Sequence, residues 1–262
     1  MKRLLAVLAG LLAMTICGSA PAAQPGFKDW AAVVVAGDYM GAHDEGETEA
    51  FDNARRDVAK ALVERMGFAP ENVRQYSVRP QRYKSETGLR QSLLPDIHSG
   101  LIEAAQKAKS GCLFYFTSHG VETGAYLNAE DPTKHSIILP QTMAQLVDSA
   151  CPGRPSVVII STCFSGVSVP SLEQPGRMVM TASAKDRSSF GCGQQNTYPY
   201  FDDCFLQSVK AVRNLGALPP AVIACVQRME QETGMSPPSM PQVAIGSSLR
   251  PMLMLYGFPK GS

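Results

Sequence analysis

The feature that most constrains this chain is the alternation of short, continuous apolar runs with helix-length amphipathic segments. The runs are WAAVVVA at 30–36, CLFYF at 112–116, VVII at 157–160 and RMVMTA at 177–182. A strand with one wet face alternates apolar and polar residues, whereas one that is apolar nearly throughout is covered on both faces, as in a parallel sheet. Between the runs, residues 49–66 place Phe51, Ala54, Val58, Ala61, Leu62 and Met66 at three- and four-residue steps and stop at Gly67, the pattern of a helix. Residues 89–109, 141–150, 202–215 and 220–232 read as further helices, and 73–78 and 242–246 as further strands. Residues 121–139 read as irregular with a short strand pair. This order predicts an α/β fold, a three-layer sandwich with a mostly parallel central sheet, helices on both faces and right-handed crossovers.

Two of these strands run into reactive side chains. CLFYF continues into Thr117-Ser118-His119-Gly120, and VVII into Ser161-Thr162-Cys163-Phe164. In open α/β sheets ligands bind outside the carboxyl ends of the strands, and sequential parallel strands tend to be neighbours. A cysteine beside a strand is more often packing than chemistry. A histidine at the end of the preceding strand changes that balance. A thiol with a pKa of about 8.5 is mostly protonated at neutral pH, and an adjacent imidazole can activate it or protonate a departing amine. Gly120 has no side chain to screen its N–H, which together with the N–H of Cys163 can hold an oxyanion. The candidate set is therefore Cys163 as nucleophile, His119 as general acid/base, and Gly120 and Cys163 as backbone oxyanion donors.

The rest of the composition narrows the setting. Among 262 residues the formal net charge is +1 with the charges interspersed, so there is no basic stripe for nucleic acid. Lys2 and Arg3 precede an apolar stretch at 4–16 and the small-residue triplet Ala20-Pro21-Ala22, the layout of a cleaved signal peptide over 1–22. The mature chain, 23–262, is expected to be one domain, exported to the periplasm or the extracellular space. A lipoprotein anchor at Cys17 is disfavoured by the bulky Ile16 before it, and no other segment is long enough to span a membrane stably. Without Cys17, six cysteines remain: Cys112, Cys151, Cys163, Cys192, Cys204 and Cys225. None has C-x-x-C spacing, which argues against zinc or a thioredoxin-like site. Cys192 and Cys204 flank a loop and are expected to bridge. His43, in the loop after the first strand, is within reach of the same crevice, although an exposed loop histidine is usually just solvated; His98 lies in a helix and His135 in a polar loop, neither with a ligand-spaced neighbour, so no metal or cofactor is expected.

The segments LFYFTSHG at 113–120 and VVIISTCFSG at 157–166 resemble the two catalytic motifs of the legumain-type cysteine peptidases, peptidase family C13, of caspase-like fold. Further matches run through AAVVVAGD at 31–38, FDNARRDVAKAL at 51–62 and MVMTASAKDRSSFGC at 178–192, and the likeness is greatest to bacterial exported members. The resemblance implies the same Cys163 nucleophile, His119 acid/base and Gly120 oxyanion donor. It also implies that Arg187-Ser188-Ser189-Phe190 lines the specificity pocket, with Ser188 and Ser189 binding substrate and Asp202 supplying an acidic residue there. Legumains carry Ser-Asn-Gly after the first strand, the Asn helping to orient the catalytic His; this chain has Asp38-Tyr39-Met40. A carboxylate at Asp38 either accepts the imidazole N–H or caps the loop. The Arg-His pair of the legumain pocket falls around Asn53-Ala54, so cleavage after asparagine does not carry over.

The resulting expectation is an exported cysteine endopeptidase acting on a peptide or protein substrate through an acyl-enzyme. Its rivals are a transamidase or peptide ligase using the same dyad, a catalytically silent peptide-binding domain, and a thiol-disulfide redox protein that would need a resolving cysteine close to Cys163.

Overall fold

The computed structural model describes residues 25–42, 46–127 and 136–259. The expected signal peptide, Cys17, His43 and His135 lie outside them. The central sheet is built from β1 (Trp30–Ala36), β2 (Val73–Ser77), β3 (Leu89–Gln91), β4 (Gly111–Thr117), β8 (Ser156–Ser161), β9 (Arg177–Thr181) and β10 (Gln242–Ile245), in the spatial order β10-β9-β8-β4-β1-β2-β3. Every adjacent pair is parallel except β9 with β10. A small antiparallel sheet of β5 (Gly120–Val121), β6 (Gly124–Tyr126) and β7 (Ile137–Ile138) follows directly on β4.

The apolar runs are buried on both faces, and the period-two alternation of a strand divides them between two cores. Ala32, Val34, Leu113, Tyr115, Val157, Ile159, Met178 and Met180 face one side, where they meet residues of α1 (Ala50–Ala61), α5 (Tyr200–Ala211) and α6 (Leu218–Thr233). Val33, Val35, Phe114, Phe116, Val158, Ile160 and Val179 face the other, against α2 (Leu94–Lys107), α3 (Pro140–Ala150) and the short α4 (Val169–Leu172). At about 1.5–3 kcal/mol for each fully buried large apolar side chain, these two faces hold the sandwich together.

Sequence patterning is corrected at residues 89–109, where the chain first forms β3 and the helix begins only at Leu94. Pro95 requires this, since proline is tolerated in the first turn of a helix but not inside it. Gly100 stays within α2 because Tyr76 fills the space a side chain would take: an added Cβ would lie 1.7 Å from the Tyr76 hydroxyl oxygen. The expected Cys192–Cys204 bridge is also corrected. Cys204 pairs with Cys225, because α5 and α6 lie side by side and bring their Cα atoms to 5.5 Å, and Cys112 at the start of β4 pairs with Cys151 at the end of α3. Cys163 and Cys192 stay outside both bridges.

Candidate active site

The register of the sheet sets the site. Thr117, the last residue of β4, pairs with Ser161, the last of β8, so His119 and Cys163 each stand two residues beyond the same rung of adjacent parallel strands. Parallel neighbours are about 4.8 Å apart, so both groups emerge at one point on the carboxyl edge. Past β4 the chain enters the β5–β6 hairpin, with Tyr126 N–H donating to the His119 carbonyl at 3.0 Å. That bond makes the next pair, Gly120 with Ala125, a non-hydrogen-bonded pair of the ladder, so the Gly120 N–H points away from β6.

Gly120 packs directly on the cysteine strand end. A Cβ there would lie 2.1 Å from the Cys163 carbonyl oxygen, 2.7 Å from Thr162 Oγ1 and 2.8 Å from Thr162 Cβ. Only glycine allows the two strand ends this approach. Past Cys163 the chain turns sharply: Phe164 has φ +56°, in the left-handed region that costs a non-glycine residue about 1–2 kcal/mol. The turn is held by Phe164 N–H donating to the Arg187 carbonyl at 2.8 Å and Val167 N–H donating to the Phe164 carbonyl at 3.0 Å. Such strain recurs where a backbone must present one group in a fixed direction.

His119 is half-buried, and its ring is held on two sides. Nε2 lies 2.8 Å from the Met40 carbonyl oxygen, and the ring meets Phe51 edge-on with centroids 5.0 Å apart. A carbonyl oxygen only accepts, so Nε2 carries the proton, and in the neutral ring Nδ1 is left with the lone pair. Cys163 is half-buried too. The Ser189 N–H donates to its Sγ at 3.2 Å, while the Ser189 carbonyl and hydroxyl lie 3.5 and 3.6 Å from the same sulfur. Ser189 thus touches the cysteine itself, and Ser188 stands exposed beside it on the same loop.

Two expected site residues act elsewhere. Asp38 caps the loop: its Oδ1 accepts from the N–H groups of Tyr39 at 2.7 Å and Met40 at 3.0 Å. The group that holds His119 is instead the Met40 carbonyl, a backbone atom that no residue type announces. Asp202 is fully buried, so it lines no pocket. It sits at the start of α5 and accepts from the Tyr115 hydroxyl (2.5 Å), Thr117 Oγ1 (3.1 Å) and Ser161 Oγ (2.7 Å), fastening the helix to the ends of both site-bearing strands. Burial pushes its carboxyl up to about 6, although all three hydroxyl bonds pull the other way. Phe51, read from periodicity as packing, does pack, but against the imidazole. His98 lies apart from this site and bonds Ser149 Oγ at 2.7 Å. Among the described residues no three metal-ligating side chains gather, and no helix is long and apolar enough to cross a membrane.

Residues 101–217, which contain both strand ends, match the model of the Peptidase C13 family. The fold is similar to the crystal structure of Caspase-1 from Spodoptera frugiperda, with a TM-score of 0.56 at 13% sequence identity over 85% of this chain and 88% of that one. No curated protein matches the chain. The family match supports a cysteine-protease-type function. Taken together, the match over 101–217 and the caspase-like fold support a legumain-type C13 protein of caspase-like fold.

Proposed function

We propose that this protein is an exported cysteine endopeptidase that cleaves peptide bonds with Cys163 as nucleophile and His119 as acid/base. The observation that carries this reading is the seating of Gly120 on the Cys163 carbonyl. It joins an imidazole fixed in one tautomer, a thiol bonded by a backbone N–H, and two N–H groups at the same strand ends.

The chemistry follows from these groups. As the thiol proton passes to His119 Nδ1, Sγ bonds to the substrate carbonyl carbon, and the N–H groups of Cys163 and Gly120 receive the developing oxyanion. The C–N bond then breaks, Nδ1 returns the proton to the leaving amine, and a thioester remains. Water adds to the thioester, giving one proton through Nδ1 back to sulfur, and the acid product leaves. The Met40 carbonyl keeps Nε2–H in place, so that Nδ1 is the nitrogen that takes and returns the proton. Export is supported by the signal-like N-terminus and by two disulfides, which persist in oxidising compartments.

The test is a peptide-library cleavage profile of wild type beside Cys163→Ala and His119→Ala, with labelling by a thiol-directed peptide electrophile. Wild type should cleave, and Cys163 should outpace Cys192 in labelling. Labelling of Cys163 no faster than of Cys192, unchanged by His119→Ala and with no cleavage, would leave a silent peptide-binding domain. Products extended by added amines would make the protein a transamidase.

A further inference from the structure

The loop whose Met40 carbonyl holds His119 does not stand by its own contacts alone. Its two limbs form a narrow antiparallel pair: Met40 bridges Glu47, Thr48 N–H donates to the Tyr39 carbonyl at 2.8 Å, and Gly41 N–H donates to the Gly46 carbonyl at 2.6 Å. Arg79, just past the end of β2 and only 6% exposed, reaches across both limbs. On the far limb its Nη2 donates to the Thr48 carbonyl at 2.6 Å and to Glu49 at 3.1 Å, and its Nη1 donates to Glu47 at 2.9 Å. On the near limb its guanidinium lies over the Tyr39 ring, 4.9 Å from the centroid. Tyr39 is the residue before Met40. The other charges around it are Asp52, whose Oδ2 is 3.5 Å from Arg79 Nε, and Arg82, which shares Glu47 and Glu49.

We propose that Arg79 is a positioning residue for His119, acting as a clamp that fixes the Tyr39–Met40 backbone so that the Met40 carbonyl meets Nε2. A planar fork that donates to several acceptors and stacks on an aromatic face suits this task. The inference rests on the peptidase reading for its catalytic meaning, but the tautomer of His119 does not depend on turnover.

The experiment compares wild type, Arg79→Met, Tyr39→Leu and Arg177→Met. Arg177 is the control: it is 3% exposed and bonded to Ser156, Leu172 and Asp148, but it opens β9, at the opposite end of the strands from the site. Ring-nitrogen NMR, with His119 assigned through His119→Gln, reads the tautomer; iodoacetamide alkylation across pH reads the reactivity of Cys163; thermal melting reads stability. Wild type should show one predominant tautomer protonated at Nε2. Arg79→Met should give a mixture of tautomers and slow Cys163 alkylation at neutral pH about tenfold, whereas Arg177→Met should lower the melting temperature without moving either readout. If Arg79→Met does not fold, Tyr39→Leu carries the test with the same expected direction. An unmoved His119 in the folded clamp variant, or an equal change in Arg177→Met, would overturn the proposal. A wild type that cleaves no peptide but shows the expected tautomers would instead sink the peptidase reading and leave the clamp standing.

Discussion

Gly120→Ala is the sharpest single perturbation of this site, because the space it needs is occupied by backbone. The added Cβ would lie 2.1 Å from the Cys163 carbonyl oxygen, 2.7 Å from Thr162 Oγ1 and 2.8 Å from Thr162 Cβ. A carbon and a carbonyl oxygen rest more than about 3 Å apart, so the two strand ends must separate by roughly 1 Å. Forced overpacking of this kind typically costs about 1–3 kcal/mol. For a chain of this size that lowers the melting temperature by about 2–12 °C, too little to unfold it. Catalysis should suffer far more, since a displacement of about 1 Å in a catalytic constellation costs on the order of a hundredfold. The shift also carries the Gly120 N–H away from the Cys163 N–H, splitting the pair of oxyanion donors. The assay is the inactivation rate by a peptide electrophile together with kcat on whichever peptide the library selects. Gly176→Ala serves as the control, because a Cβ there meets only the Arg154 carbonyl oxygen at 3.9 Å. A Gly120→Ala enzyme that melts normally and keeps its rate within about threefold of wild type would refute the argument that this contact builds the site.

Asp202 makes stability depend on pH in an unusual direction. Its folded-state carboxyl titrates at about 6 against an unfolded value of 3.8, so its contribution is fully present below about pH 4 and is lost as pH rises through 6. The total is on the order of 3 kcal/mol. Asp202→Asn keeps the shape and removes the titration, so the urea midpoint at pH 7 should rise relative to that at pH 4 when compared with the same difference in wild type; an unchanged difference would place the pH dependence elsewhere. Mass mapping without reductant should find Cys112 linked to Cys151 and Cys204 to Cys225, with Cys163 and Cys192 in neither bridge. Removing the second bridge in the double variant Cys204→Ala/Cys225→Ala should cost about 3 kcal/mol relative to wild type for its 21-residue separation, read as a lower melting temperature. A Cys192–Cys204 peptide would contradict the packing of α5 against α6.

Much of the architecture is written locally. An apolar run such as VVII can be covered only on both faces, and amphipathic segments between such runs leave few alternatives to a parallel sheet with helices on each side. His119 and Cys163 were legible because each follows such a run directly, so the strand that buries the run also delivers the residue to the carboxyl edge. Segment 89–109 was misread because its apolar residues suit a helix from the first position, and the pairing of Leu89–Gln91 with Gln75–Ser77 is visible only across the sheet.

The residues that went elsewhere share one cause. Asp202 and Asp203 are neighbours of one type, and nothing in the sequence says which faces inward; the rotation of α5 buries the first under Tyr115, Thr117 and Ser161. Cysteine pairing follows the contact between α5 and α6, which spacing along the chain does not encode. The Met40 carbonyl that holds His119 is common to every residue type, so only the folded loop reveals it, and the same is true of the Arg79 clamp that spans it. Sequence by itself determined which strands are buried and where the imidazole and thiol emerge, because burial and period are local properties of the side chains. Tertiary structure alone decided what orients the imidazole, what bonds the sulfur and which carboxylate is hidden, because these depend on backbone atoms and on contacts between residues far apart in the chain.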